Sequence, residues 1–252
     1  MPTPTPPSRN WFDQGGEAYA RFRPEYPPAL AAFLAAAAPD RALAVDAGCG
    51  NGQLTQLLAA PFEHVIGIDP SADQIANAGT HERIAYRCAP AEHMPVDDGC
   101  ASLVTAAQAA HWFDLPAFYR EVRRIARPGA LLALVSYGVL ELDADLDARF
   151  QHFYHYEIGP FWPAQRKLVD TGYATIDFPF EELAPPALDI RCAWTLPQFL
   201  GYVGTWSAVR SAREAGRDDL PGAFADDIAA AWGDPGRQRA VRWPINMRLG
   251  RV

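Results

Sequence analysis

The run VDAGCGNG, Val45 to Gly52, constrains this chain more than any other stretch. A short apolar segment, Arg41 to Val45, leads into the acid Asp46, after which Gly48, Gly50 and Gly52 permit a tight turn. GQLTQLLAAP follows with the i, i+3, i+4 apolar spacing of a helix. The order is strand, turn, helix, the arrangement of a nucleotide-type cofactor site. A second apolar run, His64 to Ile68, ends on Asp69, and Ser71 with Gln74 three residues later forms a capping box for the next helix. Two strands with a helix between them make a βαβ unit.

The same alternation continues. A third strand is predicted at Arg83 to Cys88, followed by the loop APAEHMPVDDG, and a fourth at Ala101 to Ala107, ending at Gln108. The next helix starts near Asp114 and carries one apolar stripe through Phe118, Val122 and Ile125 until RPG stops it. Ala130 to Val135 is a near-continuous apolar run suited to a parallel strand buried on both faces. Alternation of this kind predicts an α/β doubly wound sheet with its ligand at the carboxyl ends of the strands.

Beyond Tyr137 the rhythm changes. Gly138 to Asp189 is aromatic-rich and broken by prolines, and reads as an insertion of helix plus loop that covers the site. LDIRCAWT resembles a strand, and Thr195 with Gln198 makes a second capping box opening a helix that runs to about Glu214. A further helical piece ends at Trp232. The segment RAVRWPINMRLGRV then alternates strictly, with Val241, Trp243, Ile245, Met247 and Leu249 on one side, which is the pattern of a half-buried strand.

A chain of 252 residues with 49% hydrophobic content is compatible with one domain or two. The reading here is a proline-rich disordered tail at residues 1–9 and a single domain at 10–252. That domain comprises an arm (10–40), the cofactor-binding core (41–137), the insertion (138–194), and C-terminal helices with the last strand (195–252). MPTPTPPSRN lacks the basic and apolar regions of a secretory signal, and the longest apolar stretch, Ala29 to Ala38, falls short of the ~20 residues that cross a bilayer. A soluble, cytoplasmic protein is expected. Cys49, Cys88, Cys100 and Cys192 lie far apart without CxxC spacing, so neither zinc nor disulfides are indicated. His152, His155 and Glu157 share helical spacing but lack a further ligand, and no metal is expected. With a net charge of -8 and Lys167 as the only lysine, no basic block faces a phosphate backbone; neither nucleic acid nor a membrane is an expected partner.

The glycine spacing narrows the ligand. A dinucleotide fingerprint needs G-x-G-x-x-G, whereas here Gln53 stands where the third glycine should be. A carboxylate at Asp46 opposes a pyrophosphate and suits a ligand with a positive end. Asp69, ending the next strand, is placed to take both hydroxyls of a ribose. A nicotinamide-dependent oxidoreductase is the alternative that this spacing disfavours.

D-x-G-x-G-x-G followed by an acid at the end of the second strand resembles the S-adenosylmethionine site of class I methyltransferases. APAEHMPVDDG resembles that family's loop after strand three, and AAQAAHWF its fourth-strand end. AHWFD, RPEYP and GYVGTWSAV resemble the trans-aconitate methyltransferase-like group, of the methyltransferase type 11 class. The common motifs cover residues about 45 to 137 and the flanking matches most of the chain.

The resemblance implies a Rossmann-like fold with a seven-stranded, mostly parallel sheet whose last strand is antiparallel. It also implies S-adenosylmethionine as methyl donor, with S-adenosylhomocysteine as product. By the same resemblance Gly48, Gly50 and Gly52 approach the methionine and ribose portions, with Asp46 near the amino-acid end. Asp69, with Pro70 beside it, holds the ribose hydroxyls, Ala91 and Glu92 meet adenine, and Gln108 lies near the methionine portion. Cys49 fits as a small filler.

Methyl transfer from a sulfonium is an in-line displacement, so alignment and exclusion of water matter most. A base is needed only if the acceptor must lose a proton. His111 is the candidate, its other reading being a loop-fixing residue beside Trp112. For the acceptor, a small molecule and in particular a carboxylic acid, the expected wall comprises Tyr19, Arg23 and Tyr26 from the arm, Trp112, and Tyr202 and Trp206 from the late helix. Arg23 is suited to clamp a carboxylate. The competing reading makes Tyr202 and Trp206 core residues and pairs Arg23 with Glu25 or Glu17. A non-catalytic S-adenosylmethionine-binding protein is the remaining alternative.

Overall fold

The computed structural model describes residues 24–252, so Tyr19 and Arg23 lie outside the described residues. Among the described residues eight strands make the sheet: β1 (Leu43–Ala47), β2 (His64–Asp69), β3 (Ile84–Cys88), β4 (Ala101–Ala107), β5 (Ala126–Tyr137), β6 (Glu181–Leu183), β7 (Leu188–Trp194) and β8 (Arg239–Arg251). The order is β3-β2-β1-β4-β5-β8-β6, with β7 also paired to β8. Neighbours from β3 through β5 run parallel, and β8 runs antiparallel to both β5 and β6. Strand order reverses at β1 and β4, opening the crevice that in such sheets receives a ligand.

Seven of the strands stand on the main path, as the resemblance implies, and β7 is additional. RPG does not intervene between helix and strand. The chain passes directly from α4 (Leu115–Ile125) into β5, which begins at Ala126.

Helices α1 (Pro28–Ala37), α2 (Gln53–Leu58) and α3 (Ala72–Ala76) precede α4. Proline near the start of α1 supplies a preset φ where no backbone donor is needed. The Ser71 hydroxyl caps α3 by accepting the Gln74 N–H at 3.3 Å. On α4, Phe118, Val122 and Ile125 are fully buried and pack in one cluster with Val45, Ile68, Val104, Ala106, Leu132 and Leu134 from alternate positions of the strands. Deleting such a side chain, as in Phe118→Ala, costs about 3–5 kcal/mol. The alternation read in the last strand is present as burial: Val241, Trp243, Ile245, Met247 and Leu249 are all buried.

The described residues divide into two compact units. One comprises 24–143, 164–193 and 240–252 and holds nearly the whole sheet, with the short helix α5 (Arg166–Asp170). The part of the insertion from Ala164 to Ala193 therefore belongs with the sheet.

The other unit comprises 144–163 and 194–239. It contains α6 (Ala144–His152), continued by a π-helical turn (Phe153–Glu157), then α7 (Leu196–Gly204), α8 (Ser207–Glu214) and α9 (Asp219–Trp232). The helix expected to run from Thr195 to about Glu214 is in fact two. Trp206 takes an extended conformation (φ -71°, ψ 139°), and the Thr205 hydroxyl turns back to the Tyr202 carbonyl at 2.6 Å. The capping box forms, with the Gln198 side chain accepting the Thr195 N–H at 2.9 Å. Among the described residues, no helix is long and apolar enough to cross a membrane.

Candidate cofactor and acceptor site

The turn after β1 needs its glycines. Gly48, Gly50 and Gly52 all take positive φ (67°, 55° and 88°), a region that other residues adopt only with strain. On one side a Cβ at Gly48 would fall 2.5 Å from the Ala109 Cβ and 3.1 Å from the Phe113 ring. On the other, a Cβ at Gly52 would run into the Tyr86 hydroxyl, which itself accepts from the Gln56 amide at 3.1 Å. Gly50 alone of the three has room, with its nearest neighbour, Gln74 Oε1, at 3.7 Å. The turn is pinned below by the Cys49 N–H, which donates to the Ile68 carbonyl at 3.0 Å. Burial is the main cause that pushes the Cys49 thiol well above its ordinary pKa.

Two carboxylates frame this turn. Asp46 is 1% exposed, and its two oxygens accept the hydroxyls of Thr55 and Thr105, each at 2.7 Å. Burial raises its pKa to about 6 against the pull of those hydroxyls, and the nearby Asp69 adds to the rise. Asp69 accepts the Gly50 N–H on Oδ2 and the Ser71 N–H on Oδ1, both at 2.9 Å. Its pKa is also raised, chiefly by burial. Pro70, next in the chain, is exposed and offers its carbonyl to the Cys88 thiol at 3.4 Å.

The ends of the next two strands are tied together by Gln108. It takes φ 53°, its N–H donates to the Val135 carbonyl at 2.8 Å, and its side-chain amide donates to the Tyr137 carbonyl at 2.9 Å. The loop after β3 is held from α4: Glu121 accepts the Met94 N–H at 2.6 Å, and Arg124 donates to the Met94 and Val96 carbonyls at 2.8 Å each. Within that loop Ala91 is buried, while Glu92 accepts the Asp114 N–H at 2.8 Å and so joins the loop to the start of α4.

His111 and Trp112 lie in a single 3-10 turn, Ala110–Trp112, between β4 and α4. The Nδ1 of His111 is 2.9 Å from the hydroxyl of Tyr173, which is fully buried. Burial first, and the Arg166 guanidinium second, depress the histidine pKa to about 3, so the ring is neutral near pH 7. Trp112 is 37% exposed, its ring 4.9 Å from that of His111. Tyr26 is buried with its ring edge-on to Tyr137 at 5.9 Å.

A methyltransferase domain model matches residues 45–134, the stretch from the glycine turn through β5. A Dictyostelium discoideum protein named as a methyltransferase is 33% identical over 262 residues, spanning 100% of this chain and 99% of its own length. This chain belongs to the S-adenosylmethionine-dependent methyltransferase family. A solved structure described as a type II methyltransferase, from Anaeromyxobacter dehalogenans, is 45% identical with a TM-score of 0.87, over 91% of this chain and 98% of that one. An uncharacterised methyltransferase of Mycobacterium tuberculosis is 38% identical over 126 residues, about half of each chain (49% and 51%).

The methyltransferase takes S-adenosylmethionine as its methyl donor, and the residues present fit that molecule. The turn is uncrowded at Gly50, where a Cβ would make no contact closer than 3.7 Å, and two carboxylates beside it suit a ligand that carries positive charge and a ribose.

In the other unit of the methyltransferase, Tyr202 and Trp206 are buried (4% exposed each) and lie edge-on to one another at 5.6 Å. Trp206 also meets Phe150, Tyr154 and Trp162 there. Glu157 is engaged by Arg149 at 2.9 Å and His152 at 3.4 Å, and His155 packs edge-on against Tyr154. Among the described residues no group of three or more His, Cys, Asp or Glu is arranged to hold a metal.

Sequence reasoning did not find four residues that shape the candidate site: Thr55, Thr105, Tyr86 and Tyr173. The two threonines carried a usable signal. Each sits on a buried face facing β1, where a hydroxyl needs an acceptor and Asp46 is the acid at hand. Tyr86 and Tyr173 carried none, because their partners are set by strand pairing and by the fold of the insertion.

Proposed function

We propose that this methyltransferase transfers the methyl group to a small-molecule carboxylate. The observation that carries this reading is the state of His111. Its imidazole is a poor proton acceptor: Nδ1 lies 2.9 Å from the Tyr173 hydroxyl, and burial depresses the ring's pKa to about 3. A weak base suits an acceptor that arrives already ionised and loses no proton on methylation. An alcohol or amine would need a better base. The likeness of AHWFD, RPEYP and GYVGTWSAV to the trans-aconitate methyltransferase-like group points the same way.

In this reading the glycine turn would hold the donor. Gly48, Gly50 and Gly52 would present backbone to its methionine and ribose portions, Asp46 would serve the amino-acid end, Asp69 beside Pro70 would take the ribose hydroxyls, Ala91 and Glu92 would meet adenine, and Gln108 would border the methionine portion. The donor supplies an activated methyl on a sulfonium. The protein's part is to align an acceptor oxygen behind that methyl and keep water out. Trp112, 37% exposed beside His111, borders the acceptor.

The test is incubation with methyl-labelled S-adenosylmethionine and a panel of small organic acids, matched against alcohols and amines of similar size. Label entering a base-labile ester of an acid is the expected result. Label entering only alcohols or amines would overturn it.

A further inference from the structure

We infer that His111 meets the acceptor as a hydrogen-bond donor through Nε2–H, in a tautomer fixed by Tyr173. The inference rests on the carboxylate reading for what the acceptor offers, but the tautomer stands on geometry alone.

Tyr173 is fully buried, and His111 Nδ1, at 2.9 Å, is the acceptor its hydroxyl has among the described residues. A buried hydroxyl whose proton finds no acceptor is strongly disfavoured, so the hydroxyl donates to Nδ1. Nδ1 is then proton-free, and the neutral ring carries its hydrogen on Nε2. The reverse arrangement, Nδ1–H donating to the tyrosine oxygen, would strand the hydroxyl proton in the core. Burial and the neighbouring Arg166 charge keep the ring from taking a second proton.

The tyrosine is held hard in this pose. It follows α5 as the second residue of a Schellman-type ending, its N–H donating to the Leu168 carbonyl at 2.8 Å while the Gly172 N–H donates to Val169 at 2.9 Å. Its φ of 63° is a left-handed conformation that a tyrosine adopts only when its surroundings impose it. Arg248 imposes it from the sheet, donating to the Tyr173 carbonyl at 2.9 Å and to that of Ile176 at 3.1 Å. Asn246 leaves space there for nothing larger than Gly172, where a Cβ would lie 2.8 Å from the Asn246 side chain.

Nε2 is the ring nitrogen left open among the described residues. The ring is half-buried, and its one hydrogen bond among the described residues is made through Nδ1. The loop that carries it packs through Ala109 and Phe113 directly on Gly48 of the cofactor turn. A donor there suits a carboxylate oxygen. In the transfer, an oxygen lone pair forms the O–C bond as the S–C bond breaks with its pair going to sulfur. No proton moves, and a nitrogen already bearing hydrogen is no obstacle.

Long-range proton–nitrogen NMR on histidine-labelled protein with S-adenosylhomocysteine bound, assigned through His111→Gln, reads the tautomer directly. The expected spectrum shows a protonated Nε2 and a bare Nδ1, unchanged from about pH 5 to 8. An Nδ1–H tautomer, or titration within that range, overturns the inference. In Tyr173→Phe the pattern should become a mixture of tautomers; an unchanged spectrum would remove Tyr173 from its positioning role. On the labelled acid panel, His111→Gln keeps an amide donor near the Nε2 position and should stay within about 5-fold of wild type, whereas His111→Ala should fall roughly 10- to 100-fold. Equal losses in both variants, with S-adenosylhomocysteine binding intact, overturn the donor role. If wild type turns over no acid on the panel, the carboxylate reading fails, and the NMR arm still decides the tautomer.

Discussion

The carboxylate of Asp69 accepts the backbone N–H of Gly50 at 2.9 Å, across 19 residues of sequence. The acid that ends β2 thus sets the shape of the turn that ends β1. Removing it in Asp69→Ala takes away both this anchor and the carboxylate proposed to take the ribose hydroxyls. Affinity for S-adenosylmethionine should fall roughly 100-fold, and Asp69→Asn about 10-fold, since charge-assisted hydrogen bonds contribute more than neutral ones. Calorimetric titration measures both, and an unchanged affinity in Asp69→Ala would remove it from the cofactor site.

Asp46 and His111 should oppose each other in the pH dependence of stability. Asp46 has a folded pKa of about 6 against an ordinary 3.8, so between those values the folded state holds a proton that the unfolded state has released, and stability is lost as pH rises through about 6. His111 has a folded value of about 3 against 6.5, so the unfolded chain holds the extra proton and stability is lost as pH falls below 6.5. Between about pH 4 and 6 each group contributes about 3 kcal/mol, with opposite sign. The wild-type urea midpoint should therefore change little through this window on their account. Asp46→Asn should lose stability steeply as pH falls through it, and His111→Gln should gain. Parallel wild-type and variant curves would contradict both shifts.

Gly48 tolerates no side chain, whereas Gly99 does. Both have left-handed φ (67° and 64°), but a Cβ at Gly48 lies 2.5 Å from Ala109 and one at Gly99 meets nothing within 4 Å. Gly99→Ala should cost about 1–2 kcal/mol, the strain alone. Gly48→Ala should cost more in thermal stability and weaken cofactor binding at least about 10-fold, because the turn and the Ala109–Phe113 loop must part. Equal effects of the two substitutions on binding would show that the contact is unimportant.

Gly52→Ala meets the Tyr86 hydroxyl, and the clash can be relieved from the other partner. In the double variant Gly52→Ala, Tyr86→Phe, the next atom is the ring carbon at 3.0 Å, a contact that a small shift relaxes. The pair should recover roughly half of the stability lost in the single variant, the strain of φ 88° persisting. Denaturant titration of all four proteins reads the coupling, and strict additivity would rule out Tyr86 as the obstacle.

The sheet was legible because its strands are apolar runs that end on acids or turn residues. β4 falls at the expected Ala101–Ala107, and the burial of β8 follows its sequence alternation. β6 was not legible, since Glu181–Leu183 offers two acids and one leucine and becomes a strand through its pairing with β8. The break at Thr205–Trp206 was hidden because the amphipathic pattern runs on across it, while the Trp206 ring packs among Tyr154, Trp162 and Tyr202. At the site, Asp46 and Asp69 stood out as acids ending strands. Their settings did not, because Thr105 lies 59 residues from Asp46 and Tyr173 lies 62 from His111, and periodicity does not report contacts at that range.

The strand β8 lies between β5 and β6, yet it is the last of the eight to leave the ribosome. Until residues 239–251 emerge, β5 presents an unpaired edge along its length, and β6 has nothing to join. The five parallel strands around the glycine turn can assemble on the nascent chain, with the β5 edge open to pairing with other chains. The methyltransferase should therefore depend on chaperones most heavily in the interval between synthesis of β5 and synthesis of β8.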